Sequence, residues 1–391
     1  EEPGDIGRDP DSGEPTGIVK HHTRYIDDEG VTDPTNANER RQQFIKLMHN
    51  FNAVGLTTIS DRNALPKSIK LYKELLKNDE LTVKMSLMHY VDTNNHRDLE
   101  KIIQDINNVA EHPLRHGSPM LRLIGIKTFL DGGMLSGSAY MSKPWGKSEI
   151  HSITDPQYRG KLTISPDRLQ TIIRATVERG LQFTSHSVGD GAVHELLDAY
   201  EAVNRDITIK STRPCITHCN FMSRGAIKRM AEFGIIADIQ PAWLYLDTRM
   251  LADQFGYDRL RYFQPLKSIF EMGVVAGGGS DHWHLMDSYS ATNPYNPFLG
   301  MWITIARNAR NYENRLYPEE ALSREQAIRF YTVNNAFMLF LEDQVGTLVP
   351  GKFADMIIVD RDILNCNLNA LKDTRVLQTY LNGKLVYSSN K

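Results

Sequence analysis

The chain has 391 residues, of which 41% are hydrophobic and 24% are charged, and its formal net charge at pH 7 is −3. These values are typical of globular proteins, and the length is sufficient for a (β/α)8 barrel of roughly 250 residues with an appended module. The small net charge gives no electrostatic reason to expect nucleic acid or an anionic membrane as a partner, and no run of about 18 apolar residues predicts a membrane-spanning helix.

Residues 1–38 contain many turn-forming residues and little periodicity, so we expect an irregular leading segment there. The sequence opens with Glu1-Glu2-Pro3-Gly4 rather than with a methionine or a signal-peptide pattern. We therefore expect this chain to be the larger, C-terminal part of a longer protein, in which case any localisation signal lies outside it.

From residue 39 onward, helical stretches alternate with short apolar runs that are rich in β-branched residues. The predicted strands cover residues 53–60, 81–88, 121–130, 181–186, 214–218, 234–239 and 273–281. The predicted helices cover residues 39–50, 68–77, 98–110, 166–179, 191–203, 223–233, 262–272 and 324–340. Seven strands that are buried on both faces and alternate with helices predict a parallel sheet with crossover connections.

Seven strands are one fewer than a closed (β/α)8 barrel contains. A doubly wound open sheet is the alternative, but no glycine-rich phosphate-binding fingerprint follows the first predicted strand. We therefore predict an α/β fold with a TIM barrel over residues 39–342 that supplies strands 2–8. The first strand is then missing from this chain, and we expect it upstream of residue 1.

The C-terminal tail differs in character from the barrel repeats. Residues 346–360 predict short strands around a Pro-Gly turn. Residues 376–387 predict a β-hairpin with Asn382-Gly383 as its two-residue turn. We therefore predict a small β module over residues 343–391, outside the barrel.

Polar side chains stand at the ends of four predicted strands, at Lys127, His186, His218 and Asp281. The C-terminal strand ends of a TIM barrel converge on one mouth, where catalytic residues are gathered from several strands. Two imidazoles and a carboxylate suit a divalent ion such as Zn²⁺. A buried lysine is costly as an ammonium, but as a carbamate formed with CO₂ it is an anionic oxygen ligand that can bridge two metals. Each residue alone has an ordinary structural explanation, whereas four at one mouth favour a metal site.

These motifs resemble the amidohydrolase superfamily, in particular the branch called amidohydrolase 3 or YtcJ-like, whose described members include an N-substituted formamide deformylase. The resemblance extends over essentially the whole chain. Its markers are residues 8–17, 126–132, 185–190, 217–218, 280–281, 293–297 and 346–355. The last of these segments is found in amidohydrolases broadly, where it forms half of a β-sandwich whose other half precedes the barrel.

The resemblance implies a role for each of the four strand-end residues. Lys127 resembles the carboxylated, metal-bridging lysine (N6-carboxylysine) of the fourth strand, and His186 and His218 resemble the metal ligands of strands five and six. Asp281 resembles the strand-eight aspartate, which binds metal and transfers a proton from the attacking water to the leaving group. The implied cofactor is one or two divalent ions, most simply Zn²⁺, and the implied reaction is hydrolysis of an amide-type C–N bond in a small molecule.

One departure from the family pattern concerns the first strand, which in the family ends in His-x-His. The His-x-His present here, His282-Trp283-His284, directly follows Asp281, and we interpret His282 and His284 as pocket wall or substrate contacts. Gln240 and Trp243, after the seventh strand, are further candidate substrate contacts. We expect the missing strand upstream, and the alternative is that a metal site has been lost.

Two other functions are compatible with the same sequence. Metal-activated water also hydrolyses esters, lactones and phosphoesters, and a barrel that kept its fold without catalysis would act as a scaffold. Retention of Lys127, His186, His218 and Asp281 favours the enzyme. A homo-oligomer is compatible with the sequence, but no motif in it determines the oligomeric state.

Overall fold

The computed structural model describes residues 6–8, 12–19, 36–282 and 286–389. Two short antiparallel strands, β1 (Ile6–Arg8) and β2 (Pro15–Val19), lie within the predicted leading segment. No helix in these described ranges is long and apolar enough to cross a membrane.

Seven parallel strands then form one sheet in strict chain order. They are β3 (Thr58–Ala64), β4 (Lys84–Tyr90), β5 (Leu121–Phe129), β6 (Gln182–Ser187), β7 (Cys215–His218), β8 (Ile236–Ile239) and β9 (Ala276–Gly278). The prediction of a seven-strand parallel sheet is therefore confirmed. Over the described residues β9 does not pair with β3, so these two strands form the edges of the sheet.

Helices connect these strands and follow them. They are α1 (Ala37–Ala53), α2 (Pro66–Lys77), α3 (Leu99–Ala110), α4 (Pro166–Glu178), α5 (Asp190–Asn204), α6 (Arg224–Phe233), α7 (Pro241–Phe255), α8 (Leu266–Glu271), α9 (Pro297–Ala306), α10 (Arg324–Tyr331), α11 (Val333–Met338) and α12 (Leu368–Leu371). Local sequence explains several of their ends. The side chain of Ser223 accepts a hydrogen bond from Ala226 N at the start of α6, and Gly234 ends that helix with a φ of 67°.

The sheet curves around a polar interior. Arg62 of β3 reaches across it, and its Nε atom lies 3.0 Å from Oδ2 of Asp238 on β8. Its Nη1 atom also donates to Oε1 of Gln182 on β6, at 3.2 Å. Because β3 and β8 lie at opposite sides of the sheet order, these contacts require the sheet to curl. The structure therefore contains a curled half-barrel of seven strands.

The structure corrects the position of the first predicted strand, which was placed at residues 53–60. Residues 53–56 instead complete α1 and its turn, where Gly55 has a φ of 84°, and β3 begins at Thr58. The apolar run was misleading because the strand itself carries Asp61 and Arg62, whose polar side chains have partners inside the fold. The last predicted barrel strand, 273–281, is reduced to β9.

Several helices also differ from prediction. Helices α7 and α9 were not predicted, and the predicted helix 262–272 shrinks to α8. The predicted helix 324–340 is divided into α10 and α11 by Thr332, whose φ of −124° and ψ of −88° are not helical. The break at Thr332 is a local change of backbone conformation, and the apolar periodicity on both sides of it does not predict it.

The tail forms a three-stranded antiparallel sheet of β10 (Met356–Val359), β11 (Val376–Leu381) and β12 (Lys384–Ser388). Of the predicted strands over 346–360, only β10 is formed. The predicted hairpin turn is present, and Asn382 and Gly383 have φ values of 50° and 78°. Positive φ at both central residues is what a type I′ hairpin turn requires.

A buried ion pair attaches this small sheet to the parallel sheet. Nζ of Lys84, the first residue of β4, lies 2.5 Å from Oδ2 of Asp355 and 2.5 Å from Oδ1 of Asn382. Lys84 is 0% exposed. Thr379 Oγ1 adds a hydrogen bond to the Asn52 carbonyl at the end of α1, at 2.7 Å. These three polar contacts join the β10–β12 sheet to the barrel elements.

Candidate functional site

Strand register brings the predicted site residues to one end of the sheet. Phe129 at the end of β5 pairs with His186 on β6, and Ser187 pairs with His218 at the end of β7. The ring centroids of the two histidines are 4.5 Å apart and the rings are nearly perpendicular, at 74°. Both residues are buried. Two imidazoles from neighbouring strands therefore lie side by side at the C-terminal strand ends.

Asp131, in the loop after β5, orients His186. Its Oδ1 atom lies 2.9 Å from Nδ1 of His186. The same carboxyl group accepts backbone N–H hydrogen bonds from Tyr140, Val188 and Gly189, at 3.0, 3.1 and 2.9 Å. Burial raises the pKa of Asp131 and these donors oppose that rise. Because three N–H groups point at it, we assign Asp131 as a carboxylate that accepts the Nδ1 proton of His186.

His218 has a different partner. Its Nδ1 atom lies 2.7 Å from Oε1 of Gln240, and its ring stacks on the indole of Trp243 with centroids 4.5 Å apart and planes at 21°. The backbone of His218 has a φ of 89° and that of Cys219 a φ of 49°. Two consecutive non-glycine residues with positive φ are costly and are found where the surrounding structure over-determines them. Packing and hydrogen bonding thus hold this ring in place.

Burial favours the neutral form of both imidazoles. Burial, helped by the charge of Lys127, lowers the pKa of His186 to about 3. Burial also lowers the pKa of His218 well below its usual range, with further contributions from His186 and Lys127. Since each ring uses Nδ1 for a hydrogen bond, Nε2 is the nitrogen available to a ligand.

Lys127 lies inside the curled sheet on β5, two residues before the end of that strand at Phe129. Its side chain is buried, and Nζ lies 3.8 Å from the centroid of the Phe129 ring. Burial lowers the pKa of Lys127 to about 7, although Asp281 and Asp238 partly offset that effect. Burial thus favours the uncharged amine, which is the form that reacts with CO₂.

Asp281 follows β9 and has a φ of 56°. Its backbone carbonyl accepts a hydrogen bond from Nδ2 of Asn293 at 2.7 Å, and Oδ1 of Asn293 accepts from the indole N–H of Trp243 at 3.3 Å. Asp281 is exposed to solvent. Desolvation by the surrounding protein atoms nevertheless raises the pKa of Asp281 to about 6. The charge of Lys127 opposes this rise, and the charge of Asp238 adds a smaller increase.

The candidate substrate contacts have distinct positions. Gln240 and Trp243 both contact His218, and their role as substrate contacts stays a prediction. The ring of His282 packs edge-on against Tyr295, at 4.6 Å, and against Phe51 of α1, at 6.0 Å. His284 lies outside the described residues.

The donor set fits a divalent ion in part. Two neutral imidazoles with Nδ1 hydrogen-bonded are oriented in the way that protein ligands of Zn²⁺ usually are. Within the described ranges, however, no three His, Cys, Asp or Glu side chains lie close enough together to hold a metal ion. His186 and His218 therefore fit as two ligands, and the site needs at least one more donor.

The sequence did not place Asp131, Asp238, Arg62 or Asn293 among the candidate site residues. Asp238 carries a signal that could have been used, because a carboxylate within the apolar run 235–239 needs a partner. The partner itself, Arg62, is distant in the chain and lies outside the predicted first strand.

We expect Asp131→Asn to weaken Zn²⁺ binding by about 10–100-fold, since the partners that orient a ligating histidine contribute that much to affinity. Competition with a chromogenic chelator measures the effect. Asp190→Asn is the matched control, because Asp190 also accepts a backbone N–H, from Ser142 at 2.8 Å, without a contact to His186. Equal affinities in the two variants would contradict the assignment.

Comparison with known proteins places the chain among hydrolases. The family model described as "Amidohydrolase family" matches residues 1–387. An N-substituted formamide deformylase of Arthrobacter pascens is 26% identical over 394 residues, which cover 98% of this chain and 67% of the relative. The putative amidohydrolase YtcJ of Bacillus subtilis (strain 168) is 25% identical, with 70% of this chain and 48% of the relative covered.

A plant relative matches over a similar span. The protein LONG AFTER FAR-RED 3 of Arabidopsis thaliana is 28% identical over 271 residues, which cover 69% of this chain and 44% of the relative. The chain thus spans between about half and two thirds of these relatives' lengths. Among solved structures, an uncharacterized metal-dependent hydrolase from Pyrococcus horikoshii OT3 has a TM-score of 0.68 and 21% identity, with 93% of this chain and 68% of that chain covered. The last likeness concerns the fold.

Proposed function

The chain belongs to the amidohydrolase family, and on that premise we propose that it hydrolyses an amide-type C–N bond of a small molecule with the help of a divalent metal ion. The observation that carries the proposal is the pair of buried imidazoles at the strand ends, 4.5 Å apart between ring centroids. The Nδ1 atom of each ring is hydrogen-bonded to a buried acceptor. Such a pair suits a Zn²⁺ ion and offers little to a purely structural core.

We assign His186 and His218 as two metal ligands and Lys127, in its carbamate form, as a third. When bound, a divalent ion lowers the pKa of water from about 15.7 toward 7 and polarises a carbonyl oxygen. Lys127 supports the proposal because it is buried without a salt bridge among the described contacts and its amine loses charge readily. A carbamate would convert this unfavourable cation into an anionic oxygen donor.

Asp281 is the proposed proton carrier. Asp281 is exposed to solvent, so it can meet both a water molecule and a substrate. In the forward reaction it takes a proton from the attacking water while the new C–O bond forms, and it returns that proton to the nitrogen as the C–N bond breaks. The products are a carboxylic acid and an amine, and the proton balance at Asp281 closes in each turnover.

The substrate class is tested with a panel of small molecules. We expect the full-length protein to hydrolyse N-substituted formamides, N-acyl amines or N-acyl amino acids when Zn²⁺ is present. Chelation should lower the rate at least about tenfold, and readdition of Zn²⁺ should restore it. Amine release, followed with an amine-reactive dye, is the measurement.

Parallel arms of the panel decide between the proposed reaction and its alternatives. Faster turnover of esters, lactones or phosphoesters than of every amide would replace the C–N bond assignment. A metal content below about one tenth of an ion per chain, with no turnover after Zn²⁺ is added, would contradict the enzyme and favour a scaffold.

A further inference from the structure

We propose that Gln240 is a positioning residue that fixes the tautomer of His218, and that the Arg62–Asp238 ion pair in turn fixes the orientation of the Gln240 amide. This relay connects β3 to the end of β7 through buried polar contacts. Only its consequence for metal binding rests on the proposed function, because the tautomer is a property of the protein alone.

Asp238 is held as a carboxylate by its ion pair with Arg62. Its Oδ2 atom lies 3.0 Å from Nε of Arg62, and its side chain is 5% exposed. An ion pair with a guanidinium, which cannot lose its proton in a protein, requires the carboxylate form of Asp238. A carboxylate only accepts hydrogen bonds. Any group that faces the other oxygen, Oδ1, must therefore be a donor.

The second step concerns Gln240. Its Nε2 atom donates to Oδ1 of Asp238 at 3.2 Å, and its Oε1 atom faces Nδ1 of His218 at 2.7 Å. The reverse orientation would place two acceptor oxygens against each other, which is unfavourable in a buried site. Gln240 is 4% exposed, so bulk water does not replace either contact. The carboxylate therefore selects one of the two amide orientations.

The third step concerns His218 itself. A neutral imidazole has one N–H donor and one acceptor nitrogen. Because Oε1 of Gln240 only accepts, the hydrogen must be on Nδ1 of His218. The lone pair is then on Nε2, the nitrogen that a metal or substrate would meet. The backbone of Gln240 is held as well, since its carbonyl accepts from Nε2 of Gln264 at 2.9 Å.

The two histidines are consequently supported by chemically different groups. His186 donates to the carboxylate of Asp131, whereas His218 donates to a neutral amide. A carboxylate partner raises the basicity of an imidazole ligand more than an amide does. We therefore infer that His186 is the stronger and His218 the weaker donor of the pair.

The experiment reads the tautomer directly by long-range ¹H–¹⁵N NMR on protein labelled at the histidine rings. His218→Asn identifies the resonances of His218 by their disappearance. In the wild-type protein without metal we expect a protonated Nδ1 and an unprotonated Nε2. In Gln240→Leu, which removes the acceptor at similar volume, we expect a mixture of the two tautomers.

Two further variants complete the design. Gln240→Glu should keep the wild-type tautomer when the carboxyl oxygen that faces Asp238 carries a proton, because the other carboxyl oxygen then still accepts from Nδ1 of His218. Gln182→Leu is the matched control, since Gln182 is an equally buried glutamine that also contacts Arg62 but does not contact His218. A wild-type ring protonated on Nε2, or an unchanged tautomer in Gln240→Leu, would overturn the proposal.

A second readout is Zn²⁺ affinity by chelator competition. Gln240→Leu should weaken binding by about 10–100-fold relative to Gln182→Leu. The tautomer of His218 could change as expected while no variant binds Zn²⁺. That result would support the relay and count against the proposed function. A wild-type affinity in Gln240→Leu, with tight binding overall, would count against the role of the relay in ligand orientation.

Discussion

Asp281→Asn is expected to lower kcat for amide hydrolysis by at least about a thousandfold in the complete gene product. The substitution keeps the shape of the side chain but removes its ability to take up and return a proton. Positioned acid–base groups contribute typically 10²–10⁴-fold to a rate. Here one residue serves both proton transfers, so we expect the upper part of that range, which corresponds to about 4 kcal/mol of activation free energy.

Steady-state kinetics and metal analysis are measured together on this variant. Metal content should fall only slightly, because His186, His218 and Lys127 are unchanged. Asp253→Asn is the control, since Asp253 is exposed on α7 away from the strand ends. A variant that keeps more than about a tenth of wild-type kcat would exclude Asp281 as the proton carrier.

Asp355→Ala is expected to lower the free energy of unfolding by about 3–5 kcal/mol. The ammonium of Lys84 is fully buried, and Asp355 is the carboxylate that neutralises it, at 2.5 Å. Removing Asp355 leaves a buried, unpaired charge. The free-energy cost of that charge is much larger than the stabilisation that the ion pair provided. Urea denaturation followed by circular dichroism measures the change, with fluorescence of the four tryptophans as a second probe.

Two variants separate this effect from general damage to the small sheet. Asp373→Ala removes a surface partner of Lys372, 3.1 Å away, and should cost at most about 1 kcal/mol. The double variant Lys84→Met with Asp355→Leu should recover most of the lost stability, because a well-packed apolar pair can replace a buried ion pair. A loss below about 1 kcal/mol in Asp355→Ala would show that the charge is compensated elsewhere.

The sequence predicted the order of the strands and the meeting of the histidines because both follow from regular features. Apolar runs at regular spacing predicted a parallel sheet, and a parallel sheet places every C-terminal strand end on one edge. That argument required no contact between particular side chains. It was therefore sufficient to bring His186 and His218 together, although they are 32 residues apart in the sequence.

The contacts that orient the histidines were not predictable in the same way. Gln240 faces His218 because Asp238 and Arg62 exclude the alternative, and that depends on atoms from three strands. The position of β3 was wrong by several residues for a related reason. Asp61 and Arg62 look like turn residues in a one-dimensional pattern, but Tyr72 donates to Asp61 at 2.8 Å and Arg62 crosses the interior.

The Arg62–Asp238 contact also has a consequence for the geometry of the curved sheet as a whole. Backbone hydrogen bonds join only adjacent strands, so they determine spacing along the circumference. The ion pair joins β3, the first strand of the sheet, to β8, the sixth strand, across the interior of the curled sheet. The width of the interior is thus set without any pairing between β9 and β3. An additional strand could be inserted between β9 and β3 without changing the distance that the ion pair sets between β3 and β8.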